Sequence, residues 1–112
     1  MESKRQEKIA RLIQKDLSDI LRIFAGEHLG GYLVTVTKVN ITPDISLAKV
    51  YLSLFGPMDK ALVFKTIKQH KKDIRHNLGI RVKSQLRIIP ELDFYIDDSL
   101  DYIENIDKLL KS

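Results

Sequence analysis

Cysteine is absent from this chain of 112 residues, proline occurs three times and glycine five times. Without cysteine there is no disulfide framework and no thiolate zinc site, which fits a reducing cytoplasm. No apolar run approaches the roughly 20 residues that a helix needs to cross a bilayer. The start, Met1 to Lys8, holds cations and two glutamates where a leader would hold an apolar core, so neither a secretory signal nor an organelle transit peptide is expected. The three histidines lack metal-binding spacing, and the serines and carboxylates form no recognisable catalytic pattern. An enzyme, a metal and a cofactor are therefore not expected. Internal repeats, low-complexity tracts and linkers are also missing. At 44% hydrophobic composition the chain can bury one core but not two, so residues 1–112 are expected to form a single domain.

What the chain does have is an uneven charge. Residues 1–90 carry 17 basic and 8 acidic groups, whereas residues 91–112 carry 2 and 7. The basic surface belongs to the body of the protein, and the acidic end is expected to be a solvated helix. Between Lys60 and Arg87 nine cations (60, 65, 68, 71, 72, 75, 81, 83 and 87) meet one acid, Asp73. That excess suits a phosphate-bearing partner.

The hydrophobic period supplies the elements. Ser3 and Gln6 have the form of a capping box, and Ile9, Ile13, Leu17, Ile20, Leu21 and Phe24 follow as one apolar stripe. Lys4, Lys8, Arg11, Lys15 and Arg22 fall on the opposite side at 100° per residue, the pattern of any solvated amphipathic helix until a second basic region joins it. Ala25 to Gly31 is expected to be a turn that ends this helix; its glycines precede a strand, so it is a connector and not a phosphate cradle. Residues 32–41 and 46–55 are β-rich and flank Thr42-Pro43-Asp44-Ile45, which predicts an antiparallel hairpin with Ala48, Val50, Leu52 and Leu54 on its covered face. Gly56-Pro57 should stop the second strand and start a helix. Val63, Ile67, His70, Ile74 and Leu78 then mark one helical face, on which His70 is expected to be a half-buried ring; His28 and His76 are expected to be ordinary exposed side chains. After Lys83 the period drops to two, placing Leu86, Ile88, Leu92 and Phe94 on one side of a strand and Arg87, Glu91 and Asp93 on the other. Asp97, Asp98, Ser99 and Asp101 precede Leu100, Ile103, Ile106 and Leu110, an amphipathic helix whose aspartates suit N-terminal capping better than a divalent cation.

Several of these segments together resemble the ribosome-binding factor A family. They are the basic first helix; Val34-Thr35-Val36-Thr37-Lys38-Val39; Asp44 with Ala48-Lys49-Val50-Tyr51; Ile74-Arg75; and Arg87-Ile88-Ile89-Pro90-Glu91-Leu92-Asp93-Phe94, then Asp97 and Ser99. The resemblance implies an α+β fold, a type II KH-like domain of order α-β-β-α-α-β, here with an additional C-terminal helix. It also implies a cytoplasmic maturation factor that binds the small (30S) ribosomal subunit, assists late processing of 16S rRNA, supports growth in the cold, and is released with the help of a GTPase. A KH domain that grips single-stranded RNA uses a GXXG loop between its central helices. This chain has none, and where the family carries an Ala-x-Gly kink it has His70, Lys71 and Lys72.

Phosphate contacts are therefore expected from side chains: Lys4, Lys8, Arg11 and Lys15 on the first helix, with Lys65, Lys68, Lys71, Lys72, Arg75 and Arg81 on the central helices. Recognition should be of RNA shape, by a monomer. Two alternatives stand beside it: a KH-type protein with another RNA target, and a basic protein-interaction module with an acidic partner.

Overall fold

The computed structural model describes residues 3–30, 32–57 and 59–97. The element order is α1 (Lys4–His28), β1 (Leu33–Ile41), β2 (Leu47–Phe55), α2 (Lys60–Gln69), α3 (Lys71–Val82) and β3 (Glu91–Ile96). This is the expected α+β, KH-like order. The C-terminal helix foreseen over residues 100–110, and Asp98, Ser99 and Asp101 before it, lie outside the described residues.

The first helix starts as its sequence dictates. Ser3 Oγ accepts from the Gln6 amide at 3.2 Å, and the Ser3 amide donates to Gln6 Oε1 at 2.9 Å. The Gln6 side chain is buried, and its Nε2 donates to the Ile41 carbonyl at 2.8 Å, so one amide closes the helix cap and ties α1 to the end of β1. All six residues of the expected stripe are buried, Ile13, Leu17 and Leu21 completely. Each fully buried leucine or isoleucine contributes about 1.5–3 kcal/mol.

α1 is longer than expected. It runs through Gly26 to His28, and only the Leu29 amide, donating to the Ala25 carbonyl at 2.9 Å, closes it. Burial of Phe24, Ala25 and Leu29 outweighs the roughly 1 kcal/mol that a mid-helix glycine costs.

The strands form one sheet in the order β1-β2-β3. β1 and β2 pair antiparallel as foreseen, with a bulge at Thr37, where the register moves between Val36 and Lys38. Thr37 Oγ1 donates to Asp97 Oδ2 at 2.7 Å. β3 lies parallel to β2, from Leu47–Glu91 to Leu52–Ile96. The hairpin turn is held by the Asp44 carboxylate, which accepts from the Thr42 and Ser46 hydroxyls, each at 2.8 Å; these bonds hold its pKa below the ordinary carboxylate value. Ile45 sits at φ 62°, a conformation that costs a β-branched residue about 1–2 kcal/mol.

Three further expectations change. α2 begins at Lys60 with Asp59 as its cap, so Gly56-Pro57 ends β2 without starting the helix. The apolar face through Val63, Ile67, Ile74 and Leu78 is real, but two helices share it. They meet at His70, the C-cap of α2 and N-cap of α3. The last strand begins at Glu91, not after Lys83: the Gln85 and Leu86 amides turn back onto the Val82 carbonyl, and Pro90 has no amide to give to a ladder. Ile88, expected on the covered side, is 68% exposed.

One buried cluster joins α1, the three strands, α2 and α3. Alternate residues of the sheet feed it, so the helices cover one face. The other face carries stacked Tyr51 and Tyr95, 5.3 Å apart, with Leu33 and Phe55 exposed.

Candidate nucleic-acid interface

The ten cations read from the sequence do not form one patch. α1 runs antiparallel to β1, since Gln6 reaches Ile41 and Gln14 reaches Val36. Lys4, Lys8, Arg11 and Lys15 therefore lie on the exposed side of the half of α1 nearest the β1–β2 turn. At the other end, Phe24 and His28 meet His70, with ring centroids 4.6–5.0 Å apart. Lys65, Lys68, Lys71 and Lys72 surround that junction between α2 and α3, all exposed and without a carboxylate partner among the described residues. Ile9 and Phe24 mark the two ends, about 22 Å apart along the helix axis.

The α2–α3 junction works without glycine. The His70 amide is shared between the Thr66 and Ile67 carbonyls at 3.3 and 3.1 Å, and its ring Nδ1 lies 2.9 Å from the Thr66 carbonyl. The ring is half-buried as expected, and it fixes the bend by packing on Phe24 and His28. His28 is exposed as expected, and its ring also belongs to this cluster. Lys68 Nζ stands 5.3 Å from the Phe64 ring centroid, which fixes the direction of one cation. His76 is exposed.

Two of the ten cations are engaged by partners within the chain. Arg75 donates through Nε to the Pro90 carbonyl at 3.0 Å and through Nη2 to the Ile89 carbonyl at 2.6 Å, and its Nη1 lies 3.5 Å from Glu91. It closes the segment that leads into β3. Arg81 Nη1 lies 3.3 Å from Asp19 and 3.7 Å from Asp16, joining α3 to α1. The sequence shows the charge of both but not the carbonyls and acids that meet it.

Two cations outside the ten, Arg5 and Arg87, join Lys4 and Lys8. Lys4, Arg5 and Lys8 of α1 line a groove of about 440 Å³ together with Ile9, Gln85, Leu86 and Arg87. Arg87 had been placed on a strand, and Arg5 falls between the cationic and apolar arcs of α1. Neither carried a signal that the irregular segment 83–90 would bring them together. Among the described residues there is no cluster of side chains suited to a metal and no helix long and apolar enough to cross a membrane.

Known proteins share this sequence pattern and this fold. The family model described as ribosome-binding factor A matches residues 5–110. Ribosome-binding factor A of Cytophaga hutchinsonii is 44% identical over 98% of this chain and 83% of its own length. That of Flavobacterium psychrophilum is 48% identical over 98% and 85%. Among solved structures, the crystal structure of ribosome-binding factor A from Thermus thermophilus superposes with a TM-score of 0.68 at 20% identity, covering 81% of this chain and 94% of that one. A homology model of the Thermus thermophilus protein, as fitted into the cryo-EM map of its complex with 30S, gives 0.57 at 21% identity, covering 88% and 97%.

Proposed function

Because this chain belongs to the ribosome-binding factor A family, we propose that it is a non-catalytic RNA-binding protein of a single KH-like domain that docks on the small ribosomal subunit. On this reading it acts in the cytoplasm as a monomer, assists late maturation of 16S rRNA, supports growth in the cold, and leaves the subunit with the help of a GTPase. The observation that carries the reading is the set of four exposed lysines, 65, 68, 71 and 72, around a glycine-free junction. A glycine loop brings backbone amides to the phosphates of a single strand, whereas lysine side chains reach phosphates on folded RNA of suitable shape. Arg75 and Arg81, each already engaged by partners within the chain, shape the surface and add less to RNA binding. Lys4, Lys8, Arg11 and Lys15 supply the second point of attachment.

Sedimentation of a lysate tests this. The protein is expected to travel with free small subunits, more so when assembly is slowed by cold. Lys71→Ala with Lys72→Ala should weaken the association and reduce the salt slope by about 0.7–0.9 for each phosphate no longer neutralised. A protein that stays at the top of the gradient at low salt refutes the ribosomal reading. In that event, binding abolished by nuclease treatment points to another RNA, and binding that survives it to an acidic protein.

A further inference from the structure

The groove between the start of α1 and the segment before β3 lies at the opposite end of α1 from the α2–α3 junction. Its floor is apolar: Ile9 is buried, and Leu86 packs against the core. Its rim is cationic, with Lys4, Arg5, Lys8 and Arg87, and no acid lines it among the described residues. Arg5, Ile9, Leu86 and Arg87 continue into a second recess of about 230 Å³ against Pro43, Asp44, Ile45 and Ile88. The one acid there, Asp44, already accepts from Thr42 and Ser46. The capping box occupies the Ser3 and Gln6 amides, and the four cations on the rim supply side-chain donors for an anion.

We propose that this groove binds one nucleotide extruded from folded RNA, its base on Ile9 and Leu86 and its flanking phosphates on Lys4, Arg5, Lys8 and Arg87. This deepens the RNA-binding reading and rests on it. The volume is within the range of about 300–1,000 Å³ typical of sites for small molecules. An unstacked base presents an apolar face that such a floor can cover, and arginine can meet phosphate with two parallel hydrogen bonds. A peptide bearing acids would satisfy the rim as well, and it is the RNA-binding reading that decides for a nucleotide. Gln85 alone of the lining residues offers a neutral amide to a base edge, so the site is tolerant of base identity and selects an unpaired nucleotide over a stacked one.

The test uses the full chain with two short RNA duplexes, one fully paired and one identical except for a single extrahelical adenosine. By fluorescence anisotropy the bulged duplex is expected to bind at least about tenfold more tightly, a difference of about 1.4 kcal/mol. Arg5→Gln with Arg87→Gln, both at exposed side chains, should bring the ratio close to one. Lys71→Ala with Lys72→Ala should weaken both RNAs and keep the ratio. Equal binding of the two duplexes by the unaltered protein, or a ratio unchanged in the Arg5→Gln, Arg87→Gln variant, overturns the proposal. Co-sedimentation with small subunits is measured alongside. If it persists without a bulge preference, this site fails and the docking reading stands; if it disappears as well, both fail.

Discussion

Arg75 shows how one residue can be charged for internal reasons. Its guanidinium fork meets two successive carbonyls, those of Ile89 and Pro90, in a segment with no regular structure to satisfy them. Arg75→Ala should destabilise the fold by about 1.5–3 kcal/mol in urea unfolding, because the carbonyls would be deprived of hydrogen bonds from a charged donor. Arg75→Lys should recover only part, since an ammonium cannot span both oxygens from one plane. A change below about 0.5 kcal/mol for Arg75→Ala would show that solvent replaces the guanidinium. Gly56 constrains the fold differently: a Cβ there would run into the Tyr32 ring. Gly56→Ala should cost about 1–3 kcal/mol by forcing that buried ring to shift, measured in the same way.

At the scale of elements, α1 and α3 are held together by two unlike forces. Arg81 bridges Asp16 and Asp19 across them, but it lies at the surface. Leu17, beside Asp16 in sequence, is fully buried in the cluster that includes Ile74, Leu78 and Val82 of α3. Exposed ion pairs contribute less than about 1 kcal/mol, whereas truncating a buried leucine costs about 2–5 kcal/mol. Leu17→Ala should therefore lower the unfolding midpoint far more than Arg81→Ala. Salt should shrink only the Arg81 effect, and comparable destabilisation by the two variants would give the ion pair a larger role in the helix pairing. The junction of α2 and α3 is likewise held by packing, with His70 against Phe24 and His28, where a glycine would have offered only permissive backbone.

For the whole molecule, the consequence of the fold is separation of charge. The cations of the α1 start and those of the α2–α3 junction lie toward opposite ends of α1, where Ile9 and Phe24 are about 22 Å apart along the axis, and share no partner among the described residues, so their effects on binding should add. Lys8→Ala with Arg11→Ala, and Lys71→Ala with Lys72→Ala, should each weaken small-subunit binding. The combined variant should show the sum of the two free-energy changes to within about 0.5 kcal/mol. A combined effect well short of that sum would mean that the two groups compete for the same stretch of RNA.

Much of this protein was legible in the chain, for a physical reason. The cap at Ser3 and Gln6, the stripe from Ile9 to Phe24, and the alternation from Ala48 to Leu54 are local periodicities, and burial of one apolar face makes helix and strand follow them. The cationic excess and the absent glycine loop were likewise visible without coordinates. Tertiary structure decided what depends on residues distant in sequence. It extended α1 through Gly26 because Phe24 and Leu29 had a core to enter, and it delayed β3 to Glu91 because Val82 and Pro90 set where the ladder could begin. It also sorted the cations. Arg75 and Arg81 went to partners 14 to 65 positions away, while Arg5 and Arg87, far apart in sequence, came to face one groove. Charge is a property of the residue; whether it is free to meet a phosphate depends on which carbonyl or carboxylate the fold brings to it first.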